Sequence, residues 1–211
     1  MPAALIWGAS GGIGRAIVQH LVANGWQVYA AARDEALIPP EVTAAYSFDA
    51  GDGFSIEQVC RLVAQEVEAV DLAVYAAGGT LPLTLEKTSA DQWQAIIAAN
   101  LTGAFLTTQA QLPLMAPTGH VMIIGAHHEN IVLPRMGAYV AAKTALVPLV
   151  TVFQKENRKL KFTLVKPPAV ATGFWDNAPF KLPANAWQPQ QVAEAILAHF
   201  QSGASGELDL R

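Results

Sequence analysis

The first two dozen residues constrain the chain more than any other stretch. Ala3 to Trp7 is a short apolar run, followed at once by Gly8-Ala9-Ser10-Gly11-Gly12-Ile13-Gly14. Arg15-Ala16-Ile17-Val18-Gln19-His20-Leu21-Val22 comes next, with helical periodicity that stops at Asn24-Gly25. The apolar run is too short for a helix and suits a buried parallel strand. Strand, glycine loop and helix in that order turn backbone N–H groups and a helix N-terminus toward one point, an arrangement suited to a phosphate. Glycines permit the tight turn and let a pyrophosphate approach the backbone. A plain glycine-rich turn has the same composition. Position favours the dinucleotide reading, because the loop follows the first strand and opens the first helix. Gly8, Ser10, Gly12, Ile13 and Gly14 are the candidate cofactor contacts.

The rest of the chain alternates in the same way. Strands are predicted at Gln27–Ala32, Ala44–Phe48, Val70–Ala76, Val121–Ile124, Lys161–Val165 and Glu207–Leu210. Helices are predicted at Ser55–Glu68, Ala90–Met115, from the segment bearing Tyr139 to about Gln154, and at Gln190–Phe200. Without repeats or linkers, this alternation implies one α/β domain over residues 1–211: a doubly wound, Rossmann-type parallel sheet covered on both faces. The second strand ends at Ala32-Arg33, where folds of this kind often carry an acidic residue for the ribose 2′-hydroxyl of NAD. Arg33 suits a 2′-phosphate instead, with Arg15 as a possible helper, so NADP(H) is expected over NAD(H). The alternative is a solvated loop charge. Small residues after the fourth strand, Ala76-Ala77-Gly78-Gly79, leave room for a cofactor against the backbone.

Tyr139 and Lys143 stand four apart on a predicted helix, on one face. An ammonium beside a phenol favours the phenolate and makes a usable proton donor or acceptor near neutral pH. Tyr-x-x-x-Lys also arises by chance on many helices. Residues 166–187 hold Pro167, Pro168, Pro179 and Pro183 with Phe174, Trp175, Phe180 and Trp187. A loop so long and aromatic is a lid or substrate loop, or a surface loop packed down by its own rings.

Composition narrows the partners. Only 14% of residues are charged against 52% hydrophobic, which leaves little to cover a surface and suggests burial between subunits. A net charge of −4 argues against nucleic acid. The single cysteine, Cys60, excludes an intramolecular disulfide and suits a reducing compartment. No signal peptide and no membrane-spanning segment is read from the sequence, so a cytoplasmic location is expected. No His/Cys/Asp cluster has metal-ligand spacing.

With these features in order, the chain resembles the short-chain dehydrogenase/reductase family from residue 3 to about residue 210. Gly8, Gly12 and Gly14 match its glycine motif, with Ser10 inside it. Asp49 matches the acid beside the adenine. Ala76, Ala77 and Gly78 resemble the Asn-Asn-Ala-Gly motif, with Tyr75 where the first Asn is usual. Asn100 in Ala99-Asn100-Leu101-Thr102-Gly103 matches the family's asparagine, Tyr139 and Lys143 its catalytic pair, and Thr172 the threonine that bonds the nicotinamide carboxamide. Pro167-Pro168 replaces the usual Pro-Gly. The resemblance implies an NADP-dependent oxidoreductase acting on the carbonyl or alcohol of a small molecule. Tyr139 would be its general acid/base, Lys143 would lower the tyrosine pKa and hold the ribose, and Asn100 would keep a relay water. It also implies a homodimer or homotetramer.

One departure stands out. The family's serine, thirteen residues before the tyrosine, is Ala126 here, and losing an oxyanion-type donor can cost on the order of 10² to 10³ in rate. His127 or His128 could supply a donor, or be plain polar loop residues. The substrate could need none, or the chain could be a catalytically weak or inactive NADP(H)-binding sensor. Ala126, His127, His128, Phe174 and Trp175 are the candidate substrate contacts.

Overall fold

The computed structural model covers residues 1–211 and describes all of them except the side chain of His128. Seven strands form one parallel sheet: β1 (Ala3–Trp7), β2 (Gln27–Ala32), β3 (Ala44–Ser47), β4 (Val70–Tyr75), β5 (Met115–Ile124), β6 (Lys161–Lys166) and β7 (Gly206–Asp209). Their order is β3-β2-β1-β4-β5-β6-β7, so the chain reverses its direction of travel between β1 and β4. Crevices at such a reversal, beyond the carboxyl ends of the strands, are where open α/β sheets place ligands.

The helices are α1 (Gly12–Ala23), α2 (Gly53–Glu66), α3 (Ala90–Ile97), α4 (Gly103–Gln111), the four-residue α5 (His128–Ile131), α6 (Gly137–Glu156) and α7 (Pro189–Ser202). Alternation along β1 shows how the two layers are specified. Ala3, Leu5 and Trp7 belong to the core shared with α2, α4 and α6, while Ala4 and Ile6 join the core shared with α1 and α7. All five are buried, as a strand covered on both faces requires. Trp7 sets its ring edge against Phe48 at 5.0 Å and donates its indole N–H to Gln111 Oε1 at 2.8 Å. The one indole polar atom is thereby satisfied inside the core.

Three stretches differ from the sequence expectation. β5 begins at Met115 rather than Val121, because a register irregularity between Val70 and Leu72 of β4 lets Met115 pair before the regular ladder starts at His120. The long helix predicted over Ala90–Met115 is divided: α3 passes into a π-helical turn, Ala98–Thr102, before α4 resumes, and a 3-10 turn at Leu112–Leu114 ends it at Pro113. Thirdly, α6 has 20 residues and is apolar enough to pass for a membrane span by length and composition, although no segment of that length was expected. One face of it, with Ala142, Leu146, Val150 and Phe153, is buried in the protein, and it packs along β6.

Candidate active site

The glycine loop is built by steric exclusion. Gly8 has φ +85°, a conformation that L side chains rarely adopt, and a Cβ there would overlap the backbone of Ala76 and Ala77. A Cβ on Gly14 would overlap the carbonyl of Gly8. One on Gly12 would lie 2.5 Å from Thr172 Cγ2, so the loop is held between β4 and the segment after β6. Gly11 caps α1 without a side-chain hydrogen bond, and no acid sits in the first turn, leaving the positive end of the helix facing the cleft.

A cleft of about 960 Å³ runs from this loop across the carboxyl ends of β1, β4, β5 and β6. Ser10, Gly12, Ile13 and Arg33 line one end. Ala76, Ala77 and Gly78 lie in the middle with Asn100, and Ala126, His127, Tyr139, Lys143, Thr172, Phe174 and Trp175 line the remainder. A smaller recess of about 140 Å³ continues beside Gly8, Arg33, Phe48, Ala50 and Ala99. Gly14 lies behind this wall and shapes it through Gly8. Asp49 lines neither space: Phe48 and Ala50 do, while its exposed carboxylate accepts from Gly51 N–H at 2.7 Å in a local turn. Arg15 is also committed elsewhere, donating to the Leu37 carbonyl at 2.5 Å. The side chain of His128 lies outside the described residues. No metal-binding cluster of His, Cys, Asp or Glu occurs among them.

Asn100 is fully buried in the π-turn. Its amide donates to Gly79 O at 2.8 Å and Ile96 O at 2.9 Å, and its Oδ1 accepts from Gly79 N–H at 3.4 Å. It ties the long helical segment to the small-residue wall after β4. Lys143, also buried, donates to Ile124 O at 2.8 Å, and its Nζ lies 5.8 Å from the centre of the Tyr139 ring. The sequence suggested that the lysine would lower the tyrosine pKa. In the structure burial dominates both groups: it pushes the Tyr139 phenol up and pulls the Lys143 ammonium down to about 8. The phenol is therefore held protonated beside an amine that titrates near the neutral range. A half-buried phenol and a titratable amine on one cleft can deliver and replace a proton, with the Asn100 carboxamide as a hydrogen-bonding group beside them.

The residue before the serine's place is sterically confined. Gly125 donates its N–H to Val165 O at 2.7 Å, and a Cβ on it would lie 2.8 Å from Leu164 Cδ1. Ala126 follows with only a methyl group. His127 is buried, with Nδ1 3.6 Å from Glu129 and Nε2 3.5 Å from Asp209, so both ring nitrogens face carboxylates. Arg211 binds Asp209 through two nitrogens, at 2.9 and 2.5 Å from Oδ2, and holds that carboxyl below the usual range.

The loop 166–187 is closed at its base, where Trp187 N–H donates to Ala169 O and Ala171 N–H to Trp187 O, each at 2.8 Å. A 3-10 turn, Gly173–Asn177, carries the aromatics inward and is capped by Thr172 Oγ1, which accepts from Phe174 N–H at 3.3 Å. Phe174 packs at 5.3 Å from the Tyr139 ring, and Trp175 is fixed by a 2.7 Å bond to Val170 O. Residues that sequence reasoning missed also line the cleft: Thr80, Asn130, Leu133 and Met136. Asn130 lies in the four-residue α5 and the others in the loops around it and after β4, with no periodicity to mark them. Asp209, which reaches His127 from β7, gave no signal either.

The short chain dehydrogenase family profile matches residues 2–181. A 3-oxoacyl-(acyl-carrier-protein) reductase of Synechocystis is 28% identical, over 92% of this chain and 86% of its own. An alcohol dehydrogenase from the archaeon Thermococcus sibiricus, solved with 5-hydroxy-NADP, superposes with a TM-score of 0.88 at 30% identity, over 100% of this chain and 96% of that one. A 3-ketoacyl-(acyl-carrier-protein) reductase from Brucella melitensis, solved with NADH, gives the same fold with a TM-score of 0.88 at 20% identity, covering 99% of this chain and 96% of its own. The cleft at the strand reversal and the profile match over most of the sequence agree: this chain belongs to the short-chain dehydrogenase/reductase family of oxidoreductases.

Proposed function

We propose that the protein is an NADP-dependent oxidoreductase that interconverts the carbonyl and alcohol of a small molecule, with Tyr139 as general acid/base. The observation that carries this reading is convergence. The Tyr139–Lys143 pair of α6 lines one cleft with Asn100 of the π-turn and with the glycine loop, three segments far apart in sequence. The dinucleotide reading is supported by a cleft that runs along the backbone of the glycine loop and of Ala76–Gly78, where the loop packs against β4 and Thr172 with no side chains between. Ser10, Gly12, Ile13, Ala76, Ala77, Gly78, Lys143 and Thr172 would hold it, and Asp49 would border its adenine end. When bound, the reduced nicotinamide supplies the hydride.

The chain's own groups handle the proton. Burial keeps Tyr139 protonated, so its hydroxyl donates to the substrate oxygen during reduction. Lys143, with its pKa lowered to about 8, is matched to returning a proton to the phenolate near neutral pH. In oxidation the same groups act in reverse. Residues 166–187 serve as the substrate loop, with Phe174 and Trp175 as an apolar wall against Tyr139. Arg33, exposed at the cleft's far end, supports NADP(H) over NAD(H), as does the 5-hydroxy-NADP held by the archaeal relative. Exposed Phe105 on α4 and Val152 on α6 support a homodimer or homotetramer.

A second reading, a catalytically weak or inactive NADP(H)-binding sensor, is favoured by Ala126 and by the orientation of His127, whose nitrogens face Glu129 and Asp209. A turnover screen with NADPH and NADH across aldehydes, ketones and quinones separates the two. The enzyme reading expects NADPH oxidation with at least one carbonyl class, raised by Ala126→Ser if the missing hydroxyl limits the rate. NADPH binding with no turnover on any of them, in either protein, supports the sensor.

A further inference from the structure

Tyr75 is the residue of this site that neither the glycine loop nor the proton-handling set explains. It ends β4 where the family's motif usually has asparagine, and it is buried. Its hydroxyl lies 2.7 Å from the carbonyl oxygen of Ala99, the residue before Asn100. Burial pushes the phenol up, so the hydroxyl keeps its proton and donates it to that carbonyl.

The helix shows why this bond exists. In an α-helix the N–H of Gly103 would bond to Ala99 O, four residues back. Here it bonds instead to Ala98 O, one residue further back, which is what makes the turn π-helical. The acceptor skipped by the helix is the one Tyr75 takes. Nearby, Ile96 O accepts from the side chain of Asn100 itself. Two side chains thus bond to helix carbonyls, one just before the turn and one within it. Gly103 completes the fit, because a Cβ there would overlap the Tyr75 hydroxyl and lie 2.8 Å from Ala50 Cβ. The turn in turn sets Asn100 against the cleft wall: its amide bridges to Gly79 O and N–H, and its Oδ1 would be 2.6 Å from a Cβ on Gly78.

We propose that Tyr75 is a positioning residue for Asn100: its hydroxyl replaces the helix hydrogen bond lost at the π-turn and so fixes the asparagine against the Gly78–Gly79 wall of the cleft. The proposal rests on the oxidoreductase reading only for its kinetic consequence; its structural half stands without it.

The test uses Tyr75→Phe, which removes the hydroxyl and keeps the ring. Hydrogen exchange is read at the backbone amides of Asn100 to Gly103 and of Gly79. A buried carbonyl stripped of its donor loosens the turn, and exchange there is expected to quicken about tenfold relative to amides of β1 and α7. Unchanged exchange at those amides overturns the proposal whether or not the protein turns over any carbonyl. Where turnover is found, a double-mutant cycle supplies the second readout. If Tyr75 acts through Asn100, Tyr75→Phe lowers kcat about tenfold in the native background, and Tyr75→Phe/Asn100→Ala is no slower than Asn100→Ala alone. Losses that multiply in the double variant mean that Tyr75 acts independently of Asn100, and they contradict the proposal. If no variant or native protein turns over substrate while exchange at the π-turn still quickens, the enzyme reading fails and the positioning role survives.

Discussion

The two ends of the cleft are made of different materials. The end formed by the Gly8–Gly14 loop and Ala76–Gly78 is backbone and absent side chains, shaped by where a Cβ cannot go. The end around Tyr139 is built of side chains, buried or half-buried and held by specific partners: Lys143 on Ile124 O, Asn100 on Gly79 and Ile96, Trp175 on Val170 O. Among the described residues the first end has no titratable group inside it apart from Arg33 at its margin, and pH should hardly touch it. The second is a set of groups whose protonation follows burial. A backbone-built site fails when atoms are added. A side-chain-built site fails when they are removed.

That contrast can be broken from both sides. The largest effect is expected from Gly14→Ala, whose methyl would overlap the carbonyl of Gly8 and displace the loop. NADP(H) affinity should fall by more than roughly a hundredfold, since both the turn and the approach of the backbone are disturbed. Isothermal titration beside a circular dichroism spectrum that retains the α/β signature checks it; binding within a few-fold of the native protein would mean that the loop does not cradle the dinucleotide. Next comes Arg33→Ala. As a proposed partner of a 2′-phosphate, its loss should weaken NADPH by roughly ten- to a hundredfold while leaving NADH unchanged, the range of a charge-assisted hydrogen bond. Equal losses for both cofactors would place Arg33 outside any such contact.

The smallest effect is one of pH. Lys143 has its pKa lowered by burial to about 8, against 10.5 ordinarily. The unfolded chain therefore binds more protons than the folded one between about pH 8 and pH 10.5, and stability gained from this group rises with pH across that window. Below it the cost of burying the ammonium is constant. Lys143→Met removes that cost, so any stability advantage of the variant should shrink as urea melts are moved from pH 7 toward pH 10. A difference that stays flat with pH would show that the lysine is not desolvated as the structure has it.

The same contrast explains what could be read from the sequence. Glycines and strand periodicity are local signals, so the parallel sheet, its helices and the loop at Gly8–Gly14 were legible in the residues, as were Asn100, Tyr139 and Lys143 through the family's spacing. The π-turn was not, because Ala98–Thr102 reads as ordinary helix; Tyr75, which bonds Ala99 O there, is a strand residue that reaches it only after the chain has folded. The pairing of His127 with Asp209 was equally hidden, since it joins the end of β5 to β7 across the sheet. Asp49 is matched by motif to the adenine end, and the motif carries no sign of the local turn in which its Oδ1 accepts from Gly51 N–H. The tuning of Tyr139 by Lys143 was read from a spacing of four residues, and spacing carries no information on burial.

The central claim, that the protonated phenol of Tyr139 serves a carbonyl reaction at the end of a dinucleotide cleft, is tested most directly by Tyr139→Phe. For whichever carbonyl the screen identifies, kcat should fall by about 10² to 10⁴, the range of a general acid, with NADPH affinity unchanged. Turnover within a few-fold of the native rate, at unchanged affinity, would contradict it.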